Sequence, residues 1–172
     1  MKWVQYTSAA ENPFAVLTAI VGPAILTNAS SVLALGTSNR LARVVDRTRV
    51  VAAELAGFEP GTEAYQIYNA QLEPLQVRAQ MLIKALRLFY AGIGLFATSA
   101  LVSVSGSIAA YYRQRLVFEV AAGLAILSGA LAVLGLAFGC VLMVHETQLA
   151  VRTLTKEAKI QVEHHQVGRA PK

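Results

Sequence analysis

The stretch TSNRLARVVDRTRVVAAEL, Thr37 to Leu55, holds Arg40, Arg43, Arg47 and Arg49, with Asp46 and Glu54 among them. Guanidinium groups recognise phosphate and carboxylate oxygens through paired N–H donors. A nucleic-acid helix, a helix at a membrane edge and a plain solvated face all predict such a run. Asp46 lies three residues from both Arg43 and Arg49, within ion-pairing reach on a helix surface. The remaining chemistry-bearing residues are sparse. His145, His164 and His165 are the only histidines, and Cys140 is the only cysteine. His145 follows Cys140 by five residues, whereas spacings of three or four keep two ligands on one helix face. The chain has no HExxH, CxxC, glycine-rich phosphate loop or GxSxG. On these grounds the chain reads as not an enzyme, with no catalytic, cofactor or metal site. A single cysteine forms no intrachain disulfide.

The elements that must carry the arginines are set by composition. Of 172 residues, 55% are hydrophobic and 15% charged, with a mean hydropathy of +0.50. Soluble domains carry about 25% charge. No Asp, Glu, Lys or Arg falls between Glu11 and Arg40, between Arg87 and Arg113, or between Glu119 and Val144. Each gap exceeds the roughly 20 residues a helix needs to cross a bilayer. The reading is an all-α integral membrane protein with three transmembrane helices and cytoplasmic amphipathic helical extensions, in a single membrane domain.

The first span is expected over residues 13–37, with Pro13 in its first turn. Pro23, after Gly22, removes a backbone hydrogen bond and should bend it. Pro23 and Asn28 mark a polar intramembrane position. Asn28 reads as an interhelical hydrogen-bonding group, with a pore or ligand site as the sharper alternative. A cytoplasmic hairpin is expected over 38–87. Its first helix, 38–56, repeats Leu41, Val44, Val45, Thr48, Val51, Ala52 and Leu55 at three- and four-residue spacing. Gly57 and Pro60-Gly61 end it, Thr62 caps its successor, and Pro74 bends or breaks that second helix, which from Leu75 onward continues without a stop signal into the next apolar stretch as one long helix. The second span covers 88–112. Its Ser99, Ser103 and Ser107 recur at four-residue spacing, which permits close helix approach. A third span covers 116–144 with the packing motif Gly135-x-x-x-Gly139. Glu119 is in reach of Arg115. A cytoplasmic helix is expected over 145–163, followed by a frayed tail.

Charge asymmetry orients the chain. With three spans, the central segment and the tail share twelve Lys and Arg, and the lead and the second loop share three. The positive-inside rule then places the N-terminus outside and the C-terminus in the cytoplasm. The lead MKWVQYTSAAENP is not arranged as a cleavable signal, because the basic flank follows the first apolar run. Trp3, Tyr6, Tyr111 and Tyr112 suit the outer interface. In this setting the helix of Asn39, Arg40, Arg43, Asp46, Arg47 and Arg49 starts within a turn of the bilayer. Its expected contacts are membrane lipids, including anionic head groups, and no nucleic acid.

ILTNASSVLALGTSNRLARVVDRTRVV resembles the signature region of the DUF2721 family of bacterial membrane proteins. The similarity rests on Gly22-Pro23, on Thr37-Ser38-Asn39-Arg40-Leu41 and on Asp46-Arg47-x-Arg49. It extends through Arg78, Lys84, Arg87 and Leu88 and covers roughly residues 13–155. The resemblance implies a small protein of the bacterial cell inner membrane and carries no assigned activity. Two functions fit the residues. One is a non-enzymatic membrane protein that forms a homo-oligomer or serves as an accessory subunit of a larger membrane complex. The alternative is an oligomeric channel or transporter lined by Asn28 or the serine face.

Overall fold

The computed structural model describes the backbone of residues 13–167 and the side chains of residues 20–152 and Thr155. Trp3, Tyr6 and the side chains of His164 and His165 lie outside the described residues. Three helices follow in order: α1, Pro13–Leu55; α2, Glu63–Tyr111; and α3, Arg115–Val167. Each is long and apolar enough to cross a membrane.

Helix α1 runs past the expected boundary, whereas α2 is the one long helix that the uninterrupted pattern from Leu75 into the second apolar stretch predicts. No boundary falls near residue 37, because Gly36-Thr37 contains neither a proline nor a left-handed residue, and α1 runs on through the arginines. Pro23 and Pro74 lie inside α1 and α2, so Pro74 does not break its helix. Each proline removes one backbone hydrogen bond, and the rest of the ladder continues the helix. The expected end near residue 163 also gives way. The run TKEAKIQVEHHQV contains neither glycine nor proline, and α3 continues to Val167.

The two turns have identifiable causes. Between α1 and α2, Gly61 takes φ +101°, open to glycine without strain. Thr62 Oγ1 then accepts the Tyr65 backbone N–H at 3.3 Å, a helix N-cap. Phe58 stacks on Tyr68 with ring centroids 5.3 Å apart across this turn. Between α2 and α3, Arg113 sits at φ 57°. The Arg113 N–H donates to the Ala110 carbonyl and the Gln114 N–H to the Ala109 carbonyl, each at 3.0 Å. That pair of bonds is the Schellman motif, with arginine at a position that usually takes glycine. Arg115 then pairs with Glu119 at 2.8 Å, both exposed.

The chain divides into two compact units, and each helix contributes to both. The first comprises the chain to Leu35 together with Arg87–Phe138. Its buried and half-buried positions step by three and four along every helix. On α1 these are Pro23, Thr27, Ser30 and Ala34; on α2, Phe89, Gly92, Phe96, Ser99, Ser103 and Gly106; on α3, Ala121, Ala125, Ser128, Ala132 and Gly135. A mean period of 3.5 is that of left-handed helix packing. Apart from two phenylalanines, the α2 and α3 seams carry only Gly, Ala and Ser. Meanwhile Leu, Ile and Val at positions such as Ile25, Val32, Leu101, Leu124, Ile126 and Leu134 are exposed. This is the distribution that suits hydrocarbon: small side chains let backbones approach, and large apolar ones face lipid.

The second unit comprises Gly36–Leu86 and the chain from Gly139. Val44, Val51, Leu82 and Ala85 are buried in it, as are two polar residues, Thr37 and Glu146.

The tightest approach in the first unit tests this packing. A Cβ added at Gly106 would meet the Ala121 Cβ at 3.0 Å, whereas one at Gly94 would meet nothing within 4 Å. Gly106→Leu should force α2 and α3 apart and cost about 1–3 kcal/mol. Gly94→Ala should cost nothing. Thermal unfolding of the two variants in detergent checks the contrast.

Candidate functional site

The strongest polar constellation lies within the second unit and draws on all three helices. Glu146, on α3, follows Gly139 by seven residues and so falls on the inward seam of its helix. Its side chain is only 3% exposed. An isolated buried carboxylate is costly, and two arginines answer it. Arg78, on the buried face of α2 between Leu75 and Leu82, donates from Nε to Glu146 Oε1 at 2.9 Å. Its Nη2 lies 2.8 Å from the same oxygen. From α1, Arg40 Nη1 lies 3.8 Å from Glu146 Oε2.

Arg40 is held by a second bond. Its Nη1 donates to Thr147 Oγ1 at 3.1 Å, and the Thr147 hydroxyl itself donates to the Met143 carbonyl at 2.9 Å. One turn earlier, Thr37 Oγ1 donates to Met143 Sδ at 3.4 Å. The carboxylate therefore clasps α1 and α2 to α3.

A recess of about 350 Å³ opens beside the clasp. It is lined by Arg40, Arg43, Val44, Arg47, Leu75, Arg78, Glu146, Thr147 and Ala150. Arg40, Arg43 and Arg47 step by three and four and so share one stripe of α1. Arg43 donates from Nε to the Asn39 carbonyl at 3.4 Å. Asp46 and Arg49 do not line the recess. They form an exposed pair at 4.0 Å, of a kind worth little. No ion pair joins Asp46 to Arg43. The arginine run thus divides into three residues that face the recess and one, Arg49, that faces away.

The other expected site residues fall elsewhere. Ser99 is buried and donates to the Ala125 carbonyl at 2.8 Å, while Ser107 donates to the Ser103 carbonyl of its own helix at 2.9 Å. Gly135 lies beside the Leu88 carbonyl, and Gly139 is buried. Of these, Ser99 and Gly135 meet another helix of the same chain. Pro23 is half-buried, and Asn28 is exposed on α1. Ser30, two residues on, is fully buried, and its hydroxyl makes no hydrogen bond among the described residues.

The sequence singles out Arg40, Arg43 and Arg47 as part of a membrane-edge charged helix, and Glu146, Thr147 and the pairing of Arg78 were not among its site residues. The signal was present. Continuing the Gly135/Gly139 seam by seven residues reaches Glu146, and the α2 series Leu75, Arg78, Leu82, Ala85 puts an arginine on a buried stripe.

Removing one member of a buried charge pair leaves the other unpaired and costs about 3–5 kcal/mol. Glu146→Ala should approach the lower end, because Arg78 and Arg40 retain some exposure. Replacing both charges with apolar groups, as in R78M/E146L, should recover most of that loss. Denaturant unfolding of the single and double variants in detergent measures both. Equal destabilisation in the two would show that the pair is not the unit of stability.

No curated protein and no solved structure matches the chain. A family model does, described as a protein of unknown function, DUF2721, over residues 20–156. The matched span takes in the apolar stretches of all three helices and every residue of the clasp and its recess. The chain belongs to the DUF2721 family.

Proposed function

We propose that this multi-pass membrane protein is a non-enzymatic component of the bacterial inner membrane that associates with itself or with a larger membrane complex. In this reading the N-terminus is outside. The second unit, with its arginines, stands on the cytoplasmic side against anionic head groups. The distribution of basic residues, twelve against three, supports the orientation. The single observation that carries the association is Asn28. It lies inside a 28-residue run without charge, yet the residue is exposed and makes no side-chain hydrogen bond among the described residues. A carboxamide facing lipid lacks partners, and a neighbouring helix supplies them. The Ser99 hydroxyl and Gly135 already meet a neighbouring helix of the same chain, so Asn28 carries the proposal.

The channel alternative draws on the same residue. Within one chain, the hydroxyls of Ser99 and Ser107 are committed to backbone carbonyls. Only an assembly that places Asn28 at its centre would bring it to a conducting axis.

Native mass spectrometry after gentle extraction should find the chain above monomer mass or bound to partner proteins. Asn28→Leu should weaken that association about tenfold, the effect of one interhelical hydrogen bond of 1–2 kcal/mol. A wild-type chain that is strictly monomeric and co-purifies with nothing would sink the proposal. Orientation is read separately. A C-terminal reporter should be cytoplasmic in the wild type, and R43A/R47A/R49A should invert or mix its placement. An external reporter in the wild type would reverse the assignment.

A further inference from the structure

We infer that the recess between Arg43, Arg47 and Arg78 is a binding site for a phosphate group. Four arginines line it, Arg40, Arg43, Arg47 and Arg78, and among the described residues Glu146 is the one acidic residue of its lining. The clasp accounts for just part of the available donors. Arg78 directs Nε and Nη2 to Glu146, which leaves Nη1. Arg43 uses Nε on the Asn39 carbonyl, which leaves both terminal nitrogens. Arg47 makes no ion pair or hydrogen bond among the described residues. Like charges packed around one cavity repel one another, and an oxyanion relieves that repulsion. Planar guanidinium donors match phosphate oxygens in bidentate geometry.

The clasp makes this a built site. Glu146 and Thr147 hold Arg40 and Arg78, so two of the four cations are fixed before any ligand arrives. Such preorganisation lowers the ordering cost of binding. Val44, Leu75 and Ala150 add an apolar wall. The volume, about 350 Å³, lies at the lower end of small-ligand sites. A phosphate with a small substituent is the class that fits. The phosphate could be that of an anionic lipid head group or of a free phosphate compound. The lipid source rests on the proposed cytoplasmic placement, whereas the phosphate chemistry does not.

The test uses the full chain in neutral detergent. Inorganic phosphate, pyrophosphate and short-chain phosphatidylglycerol are titrated in turn and followed by native mass spectrometry and by thermal shift. Saturable binding of one equivalent per chain is expected for at least one probe. R43Q/R47Q should weaken it tenfold or more. K84Q/R152Q removes the same charge from exposed positions outside the recess and should leave affinity within about twofold. R43K/R47K keeps the charge without the fork and should fall between. Binding of the lipid alone identifies a head group as the source, and binding of the inorganic anions identifies a free phosphate; both support the site. Absence of saturable binding by every probe overturns it. Equal weakening by K84Q/R152Q also overturns it, because attraction would then be net charge alone. Unfolding temperatures of all variants, measured without ligand, separate lost binding from lost fold. Failure of the membrane orientation would appear only in the reporter assay and would leave these titrations unchanged.

Discussion

Within hydrocarbon, burying an apolar side chain gains nothing over leaving it in lipid, so three helices can be held together only by close contact and by hydrogen bonds. The seams of α2 and α3 in the first unit follow from that constraint. Gly92, Gly106, Ala121, Ala125 and Ala132 remove side-chain bulk where the backbones meet, and the Ser99 hydroxyl reaches the Ala125 carbonyl across the gap. Phe89 and Phe96 fill the space that small residues leave. The larger aliphatic side chains turn outward.

In the second unit a different interaction takes over. Val44, Val51 and Leu82 form an ordinary apolar core, but one seam position of α3 is a carboxylate. Its burial would be prohibitive alone, and Arg78 and Arg40 make it tolerable. The arrangement has a chemical consequence. A carboxylate held by two arginines, with two more arginines on the adjoining turns of α1, leaves a recess in which cation outnumbers anion. Structural pairing and the capacity to receive an anion come from the same side chains.

Helix ends were the least legible feature. Charge content pointed to a boundary near residue 37, yet α1 passes through it, whereas the continuous pattern from Leu75 into the second span read correctly as one long helix. A single proline subtracts one hydrogen bond from a ladder of forty or more residues, and packing along the seam compensates. Turn chemistry read more faithfully. Thr62 caps α2 as its type and position suggested, whereas Arg113 at a left-handed position carried no sequence signal, because a glycine would have been the expected marker.

By itself the sequence determined the all-α class, the three apolar stretches and the concentration of arginine after the first of them. Each depends on residue type and local spacing: hydropathy sustained over a bilayer thickness, and helical periodicity. Which arginines act together was decided only by the tertiary structure. Arg40, Arg43 and Arg47 join Arg78 and Glu146, while Asp46 and Arg49 pair at the surface, although all the α1 residues look alike in sequence. The physical reason is that a buried charge is defined by its partners. Those partners, Arg78 and Arg40, lie 68 and 106 residues from Glu146 in the chain and meet it only when three helices pack.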